Sequence, residues 1–388
     1  MDTDNAMLNL PTSFEIPAEL QELRMRVRRM VREEILPFER EIEETDSIPD
    51  EVATIVAGSG LPGLQIPREY GGMGLGMFAG CVVTEELAWS SQALVRLVGG
   101  DALGIGLFGS RSLMDKYLPR LASGEFVIAF SLTERDAGSD AAAIKCSAVP
   151  TPEGFRLNGE KVMVTGGDAA GLLLVFAVVE GGNGPGGMTA FVVEQAFPGF
   201  EVARVEPKMG LRGIHTAQIA FKDCLVPSEN VLGEVGEGFL VAMRLLDLAR
   251  IRYNGAASVG NAQRLLEMSV SHARERRQFG KRIGTFEGVG FMLARMAVET
   301  HAARLVVYDA ARKVDALRPV TLESAMVKLL ATEAADRVAD MAVQVHGGQG
   351  YMKDLQVERF YRDARLGRIW DGTSEIQQLI ISRLLLGV

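Results

Sequence analysis

The feature that most constrains the fold is a block of short, closely spaced β-rich runs that lies between two regions of helical periodicity. Between residues 126 and 221, runs such as LLLVFAVV at 172–179 are separated by turns rich in Gly, Pro and Asp. No helical pattern separates one run from the next. We therefore predict an antiparallel sandwich or barrel, rather than the parallel sheet of a nucleotide-binding fold.

The regions on either side of this block are predicted to be helical. Leu23 and Val27 belong to an apolar stripe near the N terminus, and a further helix is predicted from Met77 through Val98. Four long helical patterns follow residue 238. The predicted fold is α+β multidomain and mainly α: an N-terminal helical domain over residues 1–125, a middle antiparallel β-barrel or sandwich domain over 126–229, and a C-terminal four-helix bundle domain over 230–388.

Charge and residue usage exclude several classes of protein. The 41 Lys and Arg against 50 Asp and Glu give a net charge of -9, which disfavours nucleic acid as a partner. Three widely spaced cysteines and four histidines without metal-ligand spacing predict neither a disulfide framework nor a metal site. No apolar run approaches the roughly 18 residues of a membrane span, and the acidic N terminus is unlike a signal peptide. We therefore expect a cytoplasmic protein without a membrane partner.

The C-terminal stretch contains a carboxylate in an unusual setting. Asp371 follows Trp370 and precedes Gly372 and an apolar-periodic helix that begins near Thr373. The Asp371 carboxylate would cap that helix if its role were purely structural. Alternatively, the apolar surroundings would desolvate Asp371 and make it a general base. The local sequence leaves both interpretations open.

Six segments that span nearly the whole chain form a recognisable ordered set. They are SLTERDAGSD (131–140), RLNGEKVMVTGG (156–167), KMGLRGIHT (208–216), RERRQFGKRIGTFEGV (274–289), QVHGGQGY (344–351) and RFYRDARLGRIWDGTSEIQ (359–377). Together they resemble the FAD-dependent acyl-CoA dehydrogenase family. The resemblance implies the helical, β and helical-bundle architecture predicted above, FAD as the cofactor, and an oxidoreductase acting on the CH–CH group of an acyl thioester.

The resemblance also assigns residues to the cofactor. FAD would be bordered or held by Phe130, Leu132, Thr133, Ser139, Met163 and Thr165, with Met163 in place of the tryptophan that is usual beside the flavin. The family shares each FAD between subunits, so Arg276 and Phe279 would reach the FAD of a neighbouring chain. Contacts to its adenylate half would come from Gln344, Gly348, Thr373 and Glu375. This implies a homo-oligomer, which we expect to be a tetramer.

The implied reaction is the α,β-desaturation of an acyl-CoA thioester. Asp371 would remove a proton from Cα while Cβ delivers a hydride to flavin N5 on the opposite face. The usual base in the family is glutamate, so Asp371 is one methylene shorter and its reach is reduced. Ala249 stands where some relatives carry the base instead. Aspartate resembles the base of dehydrogenases of alicyclic acyl-CoAs and of nitroalkane oxidases, but Gln378 stands where those oxidases carry an arginine.

Substrate contacts follow from the same resemblance. They are predicted at Arg96, Ser139, Asp247, Arg250 and Trp370. An inward Arg96 would pair with a second carboxylate on the acyl group, whereas an outward Arg96 would only cover apolar surface. We expect a short, branched or cyclic acyl group on CoA or on an acyl carrier protein, with an electron-transfer flavoprotein as the acceptor. The alternative is a flavin oxidase or monooxygenase on the same scaffold that reacts directly with O2.

Overall fold

The N-terminal helices pack around a central helix, Met77–Ala88, in which every residue is buried, and the helix Ala18–Met30 packs one buried stripe against it. In the computed structural model, which describes residues 16–99, 102–182 and 184–387, Leu23 and Val27 belong to one buried cluster with Val83 and Leu87. The helices of this region are α1 (Ala18–Met30), α2 (Glu39–Thr45), α3 (Asp50–Gly58), α4 (Met77–Ala88), α5 (Ala102–Phe108) and α6 (Arg111–Ala122).

Helix α4 is shorter than the sequence predicted. It ends at Ala88 rather than Val98, and a 3-10 helix over Gln92–Leu97 follows. The Ser91 hydroxyl oxygen accepts a hydrogen bond from the Ala93 N–H at 3.2 Å. Such local bonds from serine compete with a continuing α-helix, so the chain changes direction here.

The start of α4 is fixed by the C-terminal helices. The Asp315 carboxylate accepts hydrogen bonds from the backbone N–H groups of Met77 at 2.5 Å and Phe78 at 3.0 Å. A Cβ at Gly76 would lie 2.4 Å from Asp315 Oδ1, so glycine is needed for this close approach. The first and last thirds of the chain are therefore joined directly.

The middle region forms one eight-stranded sheet that is mixed rather than wholly antiparallel. Its strands are β1 (Ile128–Ser131), β2 (Ser147–Thr151), β3 (Gly154–Thr165), β4 (Leu172–Val179), β5 (Met188–Glu194), β6 (Phe200–Val205), β7 (Thr216–Pro227) and β8 (Val231–Leu232). Their order is β6-β7-β3-β2-β4-β5-β8, with β1 paired to β4. Both β1 and β2 pair in parallel with β4, which corrects the antiparallel prediction.

The connection between the parallel strands β1 and β4 contains a hairpin instead of the usual crossover helix. Parallel neighbours need a connection of about a dozen residues or more, which is most often helical. Between β1 and β4 the chain instead forms a long loop and the β2–β3 hairpin. The lack of helical periodicity therefore did not exclude parallel pairing. The path ends at β6 and β8, so the strands that the structure describes do not close into a barrel.

The C-terminal region is a bundle of long helices around α10. Its elements are α7 (Gly238–Ala249), α8 (Ala257–Glu275), β9 (Arg277–Gln278), β10 (Lys281–Arg282), α9 (Glu287–Asp315), α10 (Thr321–His346), α11 (Gly348–Tyr351), α12 (Val357–Gly367) and α13 (Ser374–Leu386). A π-helical turn, Arg250–Ala256, joins α7 to α8 without a break. Helix α10 packs against α8, α9, α12 and α13. The predicted order of helical, β and helical-bundle regions is confirmed.

The described residues contain neither a helix suited to span a membrane nor a cluster suited to hold a metal. No helix within 16–99, 102–182 or 184–387 combines the length and the apolar character needed to cross a membrane. In the same part of the chain, no group of three or more His, Cys, Asp and Glu side chains is arranged to hold a metal ion.

Candidate active site

A cavity of about 1120 Å³ opens where the three regions meet. Its walls come from the 3-10 helix Gln92–Leu97 of the N-terminal region, from the β1–β2 loop, β3 and the β6–β7 segment of the middle region, and from α7, the π-helical turn and the segment from α12 to α13 of the C-terminal region. Small-molecule sites usually have volumes of about 300–1,000 Å³. The cavity therefore has room for more than one ligand, as a cofactor and a substrate would require.

The cavity brings together most of the predicted site residues. Those on its wall are Arg96, Phe130, Leu132, Thr133, Ser139, Met163, Thr165, Arg250, Trp370, Asp371 and Thr373. Asp247 is buried behind the wall, where its carboxylate accepts hydrogen bonds from Arg250 Nη1 at 3.2 Å and Thr321 Oγ1 at 2.7 Å. In this position Asp247 supports Arg250.

The remaining predicted site residues lie on the exposed surface of the chain. They are Arg276, Phe279, Gln344, Gly348 and Glu375. The first two belong to the segment around the β9–β10 hairpin, away from the wall of the cavity in the same chain. Their contact with the cofactor of a neighbouring chain stays a prediction.

A buried ion pair fixes the loop that carries Leu132 and Thr133. The fully buried Lys161 donates hydrogen bonds to Glu134 Oε1 at 2.7 Å and to the Leu132 carbonyl oxygen at 2.9 Å. The Val162 N–H donates to the Thr133 carbonyl oxygen at 2.9 Å. Because a buried charge requires a paired and hydrogen-bonded partner, these bonds hold the loop against β3 and present Thr133 to the cavity.

A bulge in β3 turns Met163 outward at the rim of the cavity. The register between β3 and β7 shifts between Lys161 and Val164, and Met163 has the left-handed φ of 57°. Met163 is 63% exposed. Bulges re-aim side chains and are common beside active sites. The bulge thus exposes Met163 at the rim of the cavity, which Met163 and Thr165 both line.

Asp371 lies on the cavity wall and does not cap helix α13. The cap is Thr373, whose Oγ1 accepts a hydrogen bond from the Ile376 N–H at 3.3 Å. Gln377 Nε2 donates to the Gly372 carbonyl oxygen at 2.9 Å and so steadies the turn before the helix. Of the two interpretations that the sequence left open, the helix cap is therefore wrong.

Asp371 is held by a residue that the sequence did not single out. Asn254 Nδ2 donates a hydrogen bond to Asp371 Oδ2 at 2.7 Å, and Arg250 Nε donates to the Asp371 carbonyl oxygen at 2.9 Å. Both donors come from the π-helical turn between α7 and α8. Asn254 lies 117 positions from Asp371 in sequence, and no local pattern connects the two residues.

A buried ammonium group lies near Asp371. Lys328 of α10 is fully buried, and its Nζ has no hydrogen-bond partner among the described residues. Burial lowers the pKa of Lys328 to about 8, and the negative charge of Asp371 opposes that shift. The positive charges of Lys328 and Arg250 favour an ionised carboxylate on Asp371.

The cavity is cationic although the chain as a whole is acidic. The positive side chains on its wall are Arg96, Arg135, Arg204, Lys208, Arg250, Arg362, Arg365 and Arg383. The negative ones are Asp140, Glu206 and Asp371. An excess of arginine in a cleft attracts ligands that carry phosphate groups.

Arg96 lines the cavity and is bonded to its wall, and the predicted pairing with a second carboxylate of the substrate stays a prediction. Its Nη2 donates a hydrogen bond to the Ile128 carbonyl oxygen at 2.9 Å. The guanidinium carbon lies 5.5 Å from the centre of the Tyr253 ring, within the range of a cation–π contact. Both contacts keep the guanidinium in the cavity wall.

Helix α12 holds a further part of the wall, the loop between β6 and β7. The Asp363 carboxylate accepts a hydrogen bond from the Leu211 N–H, and Arg362 Nη1 donates to the Met209 carbonyl oxygen at 3.0 Å. Burial raises the pKa of Asp363 to about 6. Protonation of Asp363 is therefore coupled to the loop that carries Met209.

The fold and the cavity define a three-domain oxidoreductase of the acyl-CoA dehydrogenase type. Family models described as the N-terminal, middle and C-terminal domains of acyl-CoA dehydrogenase match residues 17–125, 129–224 and 236–386. The chain therefore belongs to the acyl-CoA dehydrogenase family, which confirms the resemblance of its motifs. It is an FAD-dependent enzyme.

Similar proteins cover almost the whole chain. Acryloyl-CoA reductase (NADH) of Anaerotignum propionicum is 42% identical over 378 residues, which are 95% of each chain. The caffeyl-CoA reductase-Etf complex subunit CarC of Acetobacterium woodii is 39% identical over 89% of this chain and 92% of its own. The solved butyryl-CoA dehydrogenase of Megasphaera elsdenii has a TM-score of 0.93 and 32% identity, over 97% of this chain and 100% of its own.

The residues around the cavity fit FAD. Thr133 and Ser139 bring hydroxyl groups to the wall, and the arginines described above match a diphosphate. Trp370 Nε1 is a buried donor without a hydrogen-bond partner among the described residues, and a bound group would satisfy it. A solved structure described as the FAD complex of PigA matches this fold with a TM-score of 0.90 and 27% identity over 96% of this chain and 99% of its own.

Proposed function

We propose that this protein catalyses the α,β-desaturation of an acyl-CoA thioester and that Asp371 is the base. The observation that supports this most directly is the position of the Asp371 carboxylate. It lies on the wall of the cavity that fits FAD, and Asn254 holds one of its oxygens at 2.7 Å. A carboxylate held in this way can face the α-carbon of a thioester bound beside the flavin.

The side chains around Asp371 would orient the base for proton removal from Cα. Arg250 holds the main chain of Asp371 and Asn254 holds its carboxylate, so the base has little freedom to turn away. The backbone N–H of Asp371 would serve the thioester oxygen, where negative charge develops as the proton leaves. Bound FAD supplies the acceptor for the hydride that leaves Cβ.

A compact acyl group, short, branched or cyclic, fits an aspartate base. Because Asp371 is one methylene shorter than glutamate, Cα must approach the cavity wall more closely. Trp370 and Arg96 line the same cavity. Arg96 is the candidate partner for a second carboxylate on the acyl group, and Ser139 and Arg250 are candidate contacts for the rest of the thioester.

The proposed electron partner is an electron-transfer flavoprotein, and the proposed assembly is a cytoplasmic homotetramer. The relative from Acetobacterium woodii is named as a subunit of a reductase-Etf complex, which supports such a partner. The relative from Anaerotignum propionicum is named as a reductase, which supports a second candidate function, the reduction of a 2-enoyl thioester. The same residues would then return the proton to Cα.

Anaerobic bleaching of the bound flavin tests the proposal. A panel of straight, branched, cyclic and dicarboxylic acyl-CoAs is mixed with the FAD-loaded enzyme and with Asp371→Asn. We expect Asp371→Asn to stay yellow but to bleach at least about 100-fold more slowly, the usual size of an acid–base contribution. Asp309→Asn, which changes a surface aspartate paired with Lys313, should bleach like the unaltered enzyme.

Three outcomes would change the proposal. Unaltered bleaching by Asp371→Asn would move the base to another residue. Bleaching by straight chains of medium length alone would exclude the compact acyl group. Release of peroxide without any added acceptor would favour the flavin oxidase or monooxygenase.

A further inference from the structure

The π-helical turn Arg250–Ala256 places one buried amide against Asp371. Asn254 is 1% exposed, and its Nδ2 lies 2.7 Å from Asp371 Oδ2. A π-helical turn inside a longer α-helix is rare and is often found at functional sites. This turn supplies both Asn254 and Arg250, so a single element holds the carboxylate and the main chain of Asp371.

Close packing gives the turn little room to move. A Cβ at Gly255 would lie 2.4 Å from Val327 Cγ1 and 2.9 Å from Val307 Cγ2, so glycine lets the turn press against α9 and α10. Asn254 directly precedes Gly255, so its backbone belongs to the same tightly packed turn. The packed backbone fixes the position of the Asn254 Cα, and the hydrogen bond to Asp371 fixes the position of its amide.

The orientation of the Asn254 amide also points to Asp371. Asn254 Oδ1 is buried and has no hydrogen-bond partner within the described residues, which is unfavourable for an acceptor. The reversed amide would direct Oδ1 at a carboxylate oxygen and replace attraction by repulsion. The bond from Nδ2 to Asp371 is therefore the interaction that sets the orientation of the amide.

We propose that Asn254 is a positioning residue for the base: its amide holds one oxygen of Asp371, aims the other at the substrate Cα and stabilises the ionised form. This inference rests on the proposed function of Asp371. A charge-assisted hydrogen bond to the ionised form favours that form. Loss of the Asn254 donor therefore makes Asp371 ionise at higher pH.

Other charged groups near Asp371 limit the pH range of a test. They are Arg250 on the π-helical turn, which pairs with Asp247, and Lys328 on α10, which also interacts with Glu333 and Glu375. Since burial lowers the pKa of Lys328 to about 8, its charge is lost near that pH. The test is run below pH 7.5, where Lys328 and Arg250 keep their charges.

Acetoacetyl-CoA isolates the proton transfer from the redox step. Its α-carbon is acidic and its β-carbon carries no hydrogen, so the base can form the enolate but no hydride can leave. The ultraviolet absorbance of the enolate is followed against pH in the FAD-loaded enzyme and in Asn254→Leu and Asn254→Asp. We expect the midpoint to rise by about one pH unit in Asn254→Leu, the effect of one donor on a carboxylate.

Asn254→Asp separates positioning from packing. The two side chains have the same shape, so the packing of the turn is preserved, and an unchanged midpoint would mean that position 254 does not contact the Asp371 carboxylate in the loaded enzyme. A positioning role predicts a rise greater than that of Asn254→Leu, because two neighbouring carboxylates resist ionising together. The control is Asn230→Leu, which removes a buried amide that bonds the Val192 carbonyl oxygen at 2.6 Å. It should lower the melting temperature and leave the midpoint unchanged.

The outcomes distinguish this inference from the proposed function. Enolate formation that is lost in Asp371→Asn but keeps its midpoint in both Asn254 variants overturns the positioning role alone. Enolate formation that survives in Asp371→Asn overturns the proposed base, and the positioning role with it. Loss in Asp371→Asn together with raised midpoints in both Asn254 variants supports the inference.

Discussion

Asp371 has a left-handed backbone conformation, with φ of 53°, that most side chains avoid. Aspartate and asparagine tolerate this region better than other residues because their short polar side chains bond locally. Gly372 follows with φ of 91°, so the chain turns sharply before α13. The turn brings the acid to the cavity wall. Asn can adopt the same backbone, and Asp371→Asn is therefore a fair test of the base.

Because burial raises the pKa of Asp363, the free energy of unfolding should fall as the pH rises. Its folded pKa of about 6 lies above the ordinary value of 3.8. The stabilisation from its protonated form is therefore complete below about pH 4 and is lost as the pH rises through 6. In the unaltered protein the free energy of unfolding should fall by up to about 3 kcal/mol between pH 4 and pH 7, since one pKa unit corresponds to about 1.4 kcal/mol. We expect this fall to be absent in Asp363→Asn.

Urea unfolding of the unaltered protein and of Asp363→Asn between pH 4 and pH 7.5 measures this difference. The asparagine oxygen can still accept the Leu211 N–H, so the loop should keep its structure. Parallel pH curves for the two proteins would show that Asp363 ionises normally in the fold.

At the scale of elements, the ion pair between β3 and the β1–β2 loop should be essential to the site. Lys161 is fully buried, so Glu134→Ala leaves its charge unpaired and should cost about 3–5 kcal/mol of the free energy of unfolding. Lys161→Met should cost less. It removes the buried charge itself, and Glu134 keeps its bonds from the Lys145 and Cys146 N–H groups at 2.6 and 2.9 Å.

Denaturant unfolding of Glu134→Ala and Lys161→Met measures which variant loses more of the free energy of unfolding. The flavin content of both variants is measured in parallel. Because the loop carries Leu132 and Thr133, Glu134→Ala should also retain less FAD. Equal losses in the two variants would contradict the argument from the unpaired charge.

At the scale of the molecule, Phe279 should report whether a neighbouring chain completes the site. Phe279 is 89% exposed in the β9–β10 turn, with φ of 51°. If a second chain covers it, Phe279→Asp places a charge in that interface. We expect dissociation of the oligomer and at least tenfold weaker retention of FAD, as for the loss of a central aromatic contact.

Leu317→Asp is the matched control for Phe279→Asp. Leu317 is 94% exposed in another turn, with φ of 55°, so the backbone demand is the same. Size-exclusion chromatography and the ratio of flavin to protein are the measurements. Oligomer and flavin content that are the same in Phe279→Asp and Leu317→Asp would leave the shared cofactor without support.

The net charge of the chain and the local charge of its cavity have opposite signs. The net charge of -9 describes the chain as acidic. The fold nevertheless gathers arginines from distant segments, such as Arg96, Arg250 and Arg362, on one cavity wall. The affinity for phosphate groups depends on this local field, which a sum over the sequence does not contain.

The order of helical, β and helical regions, the family and the candidate base were all accessible from the sequence. Periodicity, turn residues and short motifs are local properties, and each depends only on neighbours along the chain. For Asp371 the local sequence left a helix cap and a general base open, and the resemblance of six ordered motifs to the family made it the candidate base. The shortened α4 was missed because the apolar pattern continues past Ala88 into a separate 3-10 helix, which the Ser91 hydroxyl caps.

Folding in three dimensions decided everything that depends on residues far apart in the chain. It paired β1 and β2 in parallel with β4, and it gave the helix cap to Thr373 rather than Asp371. It also brought Asn254 to Asp371 across 117 positions. The physical reason is that hydrogen bonds and ion pairs act over a few ångströms in space. Only the packing of α10, α13 and the π-helical turn determines which residues come within that distance.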